Sequence, residues 1–181
     1  MRAFLGIQIP DNLKAKIIKT QDSFSDFDIK FVESDNLHFN LKFFKEIENE
    51  KVKKLKDVLE KISTQFEPFE IKISGIGAFP SKNYIRVIWL GVKQGYQMFK
   101  SLVDTIETAL EALGFEKENR FIPHLTLGRV RSGRNKNELL ILLRKLEDIE
   151  IGKMMVDKII LFQSKLSPKG PTYEELFNVK I

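Results

Sequence analysis

Two stretches of the chain, NLHFNLKF at residues 36–43 and IPHLTLGR at residues 122–129, repeat one short pattern. In each, a histidine is followed by an apolar residue, a polar residue that can donate a hydrogen bond, and a leucine. The chain has two histidines in all, His38 and His124, so both belong to this pattern. Alternation of polar and apolar residues is typical of a β-strand with one buried face. We therefore predict two histidine-bearing strands.

On a strand, residues two positions apart share a face and lie about 6.5–7 Å apart. His38 should therefore project together with Asn40, and His124 with Thr126. A buried polar pair needs hydrogen-bond partners, so this face is either a wet cleft or a satisfied polar network. The apolar residues of the two stretches should face the packed side: Phe39, Leu41, Phe43, Leu125 and Leu127.

Strand-like and helix-like segments surround these stretches. Strands are predicted at residues 2–9, 29–32, 37–44, 69–76, 84–90, 124–130, 149–166 and 173–181. Helical spacing of apolar residues predicts helices at residues 10–24, 52–62, 99–113 and 139–146, with Gly114 as the left-handed cap of the third. The spacing is irregular and hairpin-like pairs recur, which favours an α+β fold with antiparallel sheets over a doubly wound parallel sheet.

Length and composition restrict the class of protein. A chain of 181 residues suits one domain, which we assign to residues 1–181. The lack of cysteine excludes thiol nucleophiles, disulfides and cysteine-based zinc sites, and it fits a reducing compartment. The N-terminal residues lack the sustained apolar region of a secretory signal, and no uncharged run approaches the roughly 20 residues of a membrane-spanning helix. We expect a soluble, cytoplasmic protein without membrane association.

The net charge of +5 gives the chain a mildly basic balance. Such a balance would raise the local concentration of an anionic partner such as RNA, but a lysine-rich surface also keeps a protein soluble. Charge alone leaves both interpretations open.

Paired imidazoles suit the hydrolysis of a phosphodiester. With an ordinary pKa near 6.5, a neutral histidine can take a proton from water while a charged one gives a proton to the leaving oxygen. The Thr126 hydroxyl and the Asn40 amide can donate to non-bridging phosphate oxygens. A single histidine of this kind is more often structural, but two matching copies favour a catalytic role.

These motifs resemble the two-histidine phosphoesterase superfamily, and most closely the archaeal and bacterial RNA 2′,3′-cyclic phosphodiesterases once named 2′-5′ RNA ligases. The resemblance extends over the whole chain. Besides the two histidine motifs it covers RAFLGI at residues 2–7, FVE at 31–33, YIRVIW at 84–89, and PKGP with Tyr173 at 168–173.

The resemblance implies a bilobal fold of two pseudo-symmetric halves, each an antiparallel sheet backed by helices, with an intertwined chain path and a cleft between the lobes. It implies the opening of a terminal RNA 2′,3′-cyclic phosphate to a 2′-phosphomonoester, with no metal or nucleotide cofactor. His38 is the expected proton donor and His124 the expected proton acceptor. The expected partners are RNA ends with cyclic phosphates, tRNA fragments among them, and we expect a monomer. The same acid and base would serve a reverse 2′-5′ ligation.

Asn40 departs from the family motif, which has threonine at this position. The amide can still donate to phosphate, but it is longer and planar and is unfavourable in strands. We expect lowered or redirected activity. The alternative is a module that binds RNA ends with weakened or lost catalysis.

Arg129 matches the arginine that follows the second family motif and is a candidate phosphate ligand. Strict alternation would turn it away from His124, so the prediction requires a β-bulge near Gly128 or a strand end. Arg131 and Arg134 are most simply explained as exposed residues of a basic loop. Arg131 is also a candidate RNA contact.

The other candidate RNA contacts are basic or aromatic. Lys42 should share a face with His38, and Arg86 a face with Tyr84. Lys42 and Arg86 could instead both be surface charges. Phe43, Tyr84 and Trp89 could stack on a base, although aromatic residues at strand spacing are more often core, and we assign Trp89 to the core.

Two other hydrolytic mechanisms are disfavoured. A metal site using both histidines with Glu33 or Asp35 matches no spacing typical of metal ligands. A serine hydrolase is disfavoured because the chain has no Gly-x-Ser-x-Gly motif.

Overall fold

The computed structural model describes residues 1–81, 84–118, 120–168 and 170–181. Lys169, which belongs to the closing motif of the resemblance, lies outside these residues. The helices are α1 (Asp11–Asp22), α2 (Asn49–Ser63), α3 (Tyr96–Ala112) and α4 (Lys136–Lys145). The strands are β1 (Ala3–Gln8), β2 (Ile29–Phe31), β3 (His38–Phe44), β4 (Phe69–Ser81), β5 (Tyr84–Val92), β6 (His124–Val130), β7 (Glu150–Val156), β8 (Lys158–Ser167) and β9 (Gly170–Lys180).

The described strands form an antiparallel sheet in the order β7-β4-β5-β6-β3-β1-β8-β9, and β2 pairs with β6. Counted outward from the β6–β3 pairing, one half reads β6-β5-β4-β7 and the other β3-β1-β8-β9. The chain crosses from one half to the other between β3 and β4, and it crosses back between β7 and β8. The predicted α+β class and its two related halves are confirmed, and each half contributes one histidine strand to the centre.

Helices cover one side of this sheet through the apolar stripes that the sequence predicts. On α1 the buried residues include Leu13, Ile17 and Gln21, and α2 buries Leu55, Leu59 and Ile62. Phe99 of α3 packs against Phe39 of β3, with ring centroids 5.3 Å apart. Among the described residues, no helix is both long enough and apolar enough to cross a bilayer.

Gly114 ends α3 in the left-handed conformation, with φ 81°, as predicted. The Phe115 N–H donates to the Leu110 carbonyl, so the chain reverses direction in the way that a C-terminal glycine permits.

Two β-bulges occur at matching positions, three residues after each histidine. In the β1–β3 pairing Leu5 lies opposite Lys42 and Gly6 opposite Asn40, which leaves Leu41 as the extra residue. In the β5–β6 pairing Ile88 lies opposite Gly128 and Trp89 opposite Thr126, which leaves Leu127 as the extra residue. Each bulge reverses the alternation of the residues that follow it.

The bulges correct two predicted orientations and confirm a third. Arg129 turns to the face of His124, as the predicted bulge near Gly128 requires. Phe43 turns to the face of His38, so its predicted place on the packed side is wrong. Lys42 turns inward, so the prediction that it shares a face with His38 is also wrong.

Lys42 is buried in a polar network away from the histidines. Its Nζ donates to Glu107 Oε2 at 2.9 Å and also to the Glu116 carbonyl. The Glu118 N–H donates to the same Glu107 oxygen. The network therefore ties β3 to α3 and to the loop that leads toward β6.

We expect Lys42→Ala to destabilise the protein by about 3–5 kcal/mol, because it leaves the buried Glu107 carboxylate without its cation. Lys42→Met combined with Glu107→Leu removes both charges and should be less destabilising than Lys42→Ala. Urea unfolding measures these differences. A loss below about 1 kcal/mol for Lys42→Ala, or a double variant no more stable than Lys42→Ala, would contradict this role.

Candidate active site

Both histidines line one cleft of about 550 Å³ on the side of the sheet opposite the helices. The predicted residues that line it are His38, Asn40, Phe43, His124, Thr126 and Arg129. The others are Arg2, Phe4, Lys30, Phe31, Val32, Glu33, Asn36, Ser164, Leu166, Gly170, Pro171 and Tyr173. The cleft thus lies where the two halves meet.

The β3–β6 pairing brings the two motifs together. Phe39 lies directly opposite Leu125, and both side chains are buried on the helix side. In an antiparallel register the neighbouring residues then face each other across the strands, His38 beside Thr126 and Asn40 beside His124. Each imidazole is therefore flanked by the polar partner from the other motif.

Each imidazole is oriented by the same local hydrogen bond. His38 Nδ1 lies 2.6 Å from the Asn36 carbonyl, and His124 Nδ1 lies 2.7 Å from the Ile122 carbonyl. A carbonyl can only accept, so Nδ1 carries a proton and donates it. In a neutral ring this leaves Nε2 unprotonated. Two equivalent nitrogens, able to accept or donate one proton each, are thus available to the cleft.

Burial lowers the pKa of both histidines below the ordinary value, because desolvation disfavours the charged ring. The carbonyl bonds partly oppose this effect, since they favour a charged donor. The nearby His124 further lowers the pKa of His38, and the Arg129 cation further lowers that of His124, whereas Glu118 raises it slightly. The unliganded site therefore favours neutral rings.

Aromatic rings pack against each imidazole. Phe4 lies 4.5 Å from the His38 ring, and Tyr173 meets it edge-on at 5.3 Å. Phe79 meets the His124 ring edge-on at 5.0 Å and stacks on Trp89 at 4.9 Å. Phe79 and Trp89 thus form an aromatic wall beside His124. Trp89 is half-buried there and lies outside the main core, so the prediction that it is a core residue is wrong.

Gly77 gives the Trp89 ring its place in the wall. A side-chain carbon at Gly77 would overlap the indole, so any larger residue would displace the ring. The aromatic wall beside His124 thus depends on a glycine in β4.

Three candidate phosphate ligands surround the histidines. Asn40 and Thr126 lie on the cleft face, and Arg129 joins them through the Leu127 bulge. The Asn40 Oδ1 is buried and accepts no hydrogen bond among the described residues, and the amide nitrogen is a group that can donate to an anion. The site thus offers an amide, a hydroxyl and a guanidinium to an anion.

Gln21 of α1 fixes the bulge that positions Arg129. Its side-chain nitrogen donates to the Leu127 carbonyl at 3.0 Å and to the Val32 carbonyl at 2.9 Å. The Val32 N–H also donates to the Leu127 carbonyl. The sequence patterns did not single out Gln21 for this role.

The predicted aromatic and basic contacts fall into two groups. Phe43 lies in the cleft, 36% exposed, with the Arg2 guanidinium 5.4 Å above its ring. Tyr84 and Arg86 contact each other at 5.0 Å and do not line the cleft. Arg131 is exposed and also lies outside the cleft lining.

Sequence reasoning missed four cleft residues as functional candidates, Arg2, Phe4, Lys30 and Tyr173, and also Phe79, which contacts the His124 ring. Tyr173 was noted only as part of a motif, and its neighbour Pro171 accepts a hydrogen bond from the Asn36 side chain at 2.9 Å. That bond ties the β8–β9 hairpin to the residue that orients His38. In the described part of the chain no three histidine, aspartate or glutamate side chains are grouped to hold a metal ion.

Comparison with known proteins identifies the family. A family model described as LigT like Phosphoesterase matches residues 7–89 and, again, residues 90–173. The chain belongs to the LigT-like phosphoesterase family. Consecutive matches to the two halves of the chain agree with its repeated histidine motif, and the resemblance noted from the sequence is confirmed.

Curated relatives in the LigT-like family cover nearly the whole chain. The RNA 2′,3′-cyclic phosphodiesterase of Methanothermobacter thermautotrophicus is 38% identical over 178 residues, which span 97% of this chain and 96% of that protein. The RNA 2′,3′-cyclic phosphodiesterase of Methanocaldococcus jannaschii is 42% identical over 176 residues, which span 96% of this chain and 97% of that protein.

Solved structures of LigT-like proteins share the fold. TT0787 of Thermus thermophilus superposes with a TM-score of 0.85 at 24% identity, covering 99% of this chain and 97% of that chain. E. coli LigT complexed with 3′-AMP superposes with a TM-score of 0.81 at 24% identity, with the same coverage. The likeness extends over both halves of the sheet.

We expect both histidines of the unliganded protein to titrate below the ordinary pKa of about 6.5. Replacing His124 with glutamine should raise the pKa of His38, because it removes a neighbouring positive charge. Imidazole proton shifts followed by NMR across a pH range of about 4–8 measure both values, and the single-histidine variants assign them. A pKa at or above about 6.5 for either residue would contradict the burial described above.

Proposed function

We propose that this LigT-like protein hydrolyses the terminal 2′,3′-cyclic phosphate of RNA to a 2′-phosphomonoester, with His38 as proton donor and His124 as proton acceptor. The observation that carries the proposal is the pair of imidazoles in one cleft, each with its Nδ1 engaged by a carbonyl. The names of the curated relatives support the choice of substrate.

The proposed reaction needs one proton acceptor and one proton donor on opposite sides of phosphorus. His124 Nε2 takes a proton from water as the water oxygen bonds to phosphorus. The bond from phosphorus to the 3′ oxygen then breaks, and His38 Nε2 gives that oxygen its proton. The products are a 2′-phosphate and a free 3′-hydroxyl, and each histidine ends in the protonation state from which the other began.

The surroundings of the two rings support this division of roles. The Arg129 cation disfavours a charged His124, which suits a residue that must begin as a neutral base. Burial and the nearby His124 lower the pKa of His38, and a bound phosphate anion would oppose this effect by favouring the charged form of the ring, which a proton donor needs. The reverse reaction, 2′-5′ ligation, would use the same two groups with their roles exchanged.

Charge that develops on the non-bridging oxygens needs fixed donors. The Asn40 amide, the Thr126 hydroxyl and the Arg129 guanidinium line the cleft and are held by the strand register and by Gln21. Donors already in place lose no free energy to reorganisation during the reaction. We propose these three residues as the phosphate ligands, with RNA ends, tRNA fragments among them, as the partners.

Replacement of either histidine by glutamine should lower kcat about 10²–10⁴-fold, because each variant loses one proton-transfer group. The measurement is hydrolysis of an RNA oligonucleotide with a 2′,3′-cyclic phosphate end, in buffer containing EDTA. Lys54→Gln, at an exposed position on α2, is the matched control and should retain activity.

Circular dichroism and urea unfolding would show that the glutamine variants are folded. Turnover retained by both variants would contradict the paired acid and base. Activity lost in EDTA and restored by a divalent ion would instead support a metal-dependent mechanism.

Substitutions of Asn40 test whether the altered motif still supports catalysis. Asn40→Thr should keep or raise kcat/KM, since a hydroxyl also donates to phosphate. Asn40→Asp has the same shape but cannot donate and repels the anion, so kcat/KM should fall by about 10²-fold or more. If the native protein binds cyclic-phosphate ends without hydrolysing them and Asn40→Thr gains turnover, the protein is an RNA-end binding module instead.

A further inference from the structure

We propose that Lys30 binds the phosphodiester on the 5′ side of the terminal nucleotide, so that the enzyme selects oligonucleotide ends over mononucleotides. This inference rests on the proposed function and specifies its substrate class. It assigns a residue of the cleft that the catalytic mechanism does not use.

Lys30 and Arg129 form a pair of like charges across two strands. They lie directly opposite each other in the β2–β6 pairing, and both line the cleft. Side chains at such positions share a face about 5 Å apart, and like charges there are destabilising. Neither side chain has an ion pair or hydrogen bond within the described part of the chain. An anion in the cleft would compensate this repulsion.

Lys30 is exposed and lines the cleft. A Cβ atom added at Gly170, in the β8–β9 hairpin, would lie 3.7 Å from the Lys30 Nζ. The lysine side chain therefore extends from β2 toward that hairpin. Arg129, which is also exposed, is close enough to His124 to lower its pKa. Arg129 is thus the cation near His124, and Lys30 is the cation that extends toward the β8–β9 hairpin.

The charges of the cleft exceed what one cyclic phosphate requires. Arg2, Lys30 and Arg129 line it, against the single carboxylate of Glu33. Arg2 is placed over the Phe43 ring. A 2′,3′-cyclic phosphate carries one negative charge, which Arg129 can match. Lys30 is then available for a second phosphate, and the next phosphate of an RNA end lies on the 5′ side.

The competing assignment is that Lys30 also binds the reacting phosphate and stabilises the extra charge of its transition state. The two assignments differ in one measurable respect. A lysine at the second phosphate discriminates between substrates with a charged and an uncharged linkage, whereas a lysine at the reacting phosphate affects both substrates equally.

The test uses two dinucleotides that end in a 2′,3′-cyclic phosphate, one with a phosphodiester linkage and one with an uncharged methylphosphonate linkage. Both carry a 2′-O-methyl group on the 5′ nucleoside to prevent internal cleavage. We expect the native protein to favour the phosphodiester about tenfold in kcat/KM, and Lys30→Gln to reduce this preference to about twofold or less. Lys30→Arg should retain it.

Salt dependence gives a second measure of the same contact. For the phosphodiester substrate, the slope of log kcat/KM against log salt concentration should become shallower by about 0.7 in Lys30→Gln, the amount expected for one contact to a single-stranded phosphate. The control variant Lys54→Gln should keep both the native preference and the native slope.

An equal loss on both substrates in Lys30→Gln, or an unchanged preference, would overturn this inference. The preference is also measured as a ratio of dissociation constants, which separates it from the proposed function. Absence of turnover together with a Lys30-dependent binding ratio would refute the catalytic proposal and support this one. A binding ratio that does not depend on Lys30 would refute this one.

Discussion

The pairing of β3 with β6 is the contact on which the site depends. Phe39 opposite Leu125 places two apolar side chains in the core, and the same register brings the flanking polar residues together on the other face. A shift of either strand by one residue would turn its histidine into the apolar interior. Burial of the apolar faces therefore also fixes the distance between the two imidazoles.

The two matching bulges place different side chains in the two halves of the cleft. Each follows its histidine by three residues and turns the fifth residue after the histidine into the cleft. In one half that residue is the aromatic Phe43, and in the other it is the cation Arg129. The same backbone device therefore places a ring on the His38 side and a charge on the His124 side. This difference gives the two imidazoles unlike surroundings, as the proposed donor and acceptor roles require.

The sequence predicted what depends on periodicity and on repeated motifs. It identified the helices, most strands, the cap at Gly114 and the faces that carry His38 and His124. The family resemblance supplied the bilobal arrangement. It also exposed a conflict at Arg129 that only a bulge could resolve, and a bulge is present there.

The remaining features depend on contacts between distant segments. The predicted face of Lys42 is wrong because strict alternation does not continue through the bulge in the β1–β3 pairing. Lys30 went unnoticed because its importance follows from the β2–β6 register, which is invisible to local patterns. Trp89 was assigned to the core because its strand is strongly apolar, whereas its place beside His124 is set by Phe79 and Gly77. In each case the deciding partner lies on another strand.

The central claim is that both imidazoles act on a single phosphorus. A crystal structure with a nucleoside vanadate, which mimics five-coordinate phosphorus, tests it most directly. We expect vanadium between the two rings, with each Nε2 within hydrogen-bond distance of a different vanadate oxygen and with Thr126 and Arg129 on the remaining oxygens. Vanadate bound to one histidine alone, or outside the cleft, would contradict it.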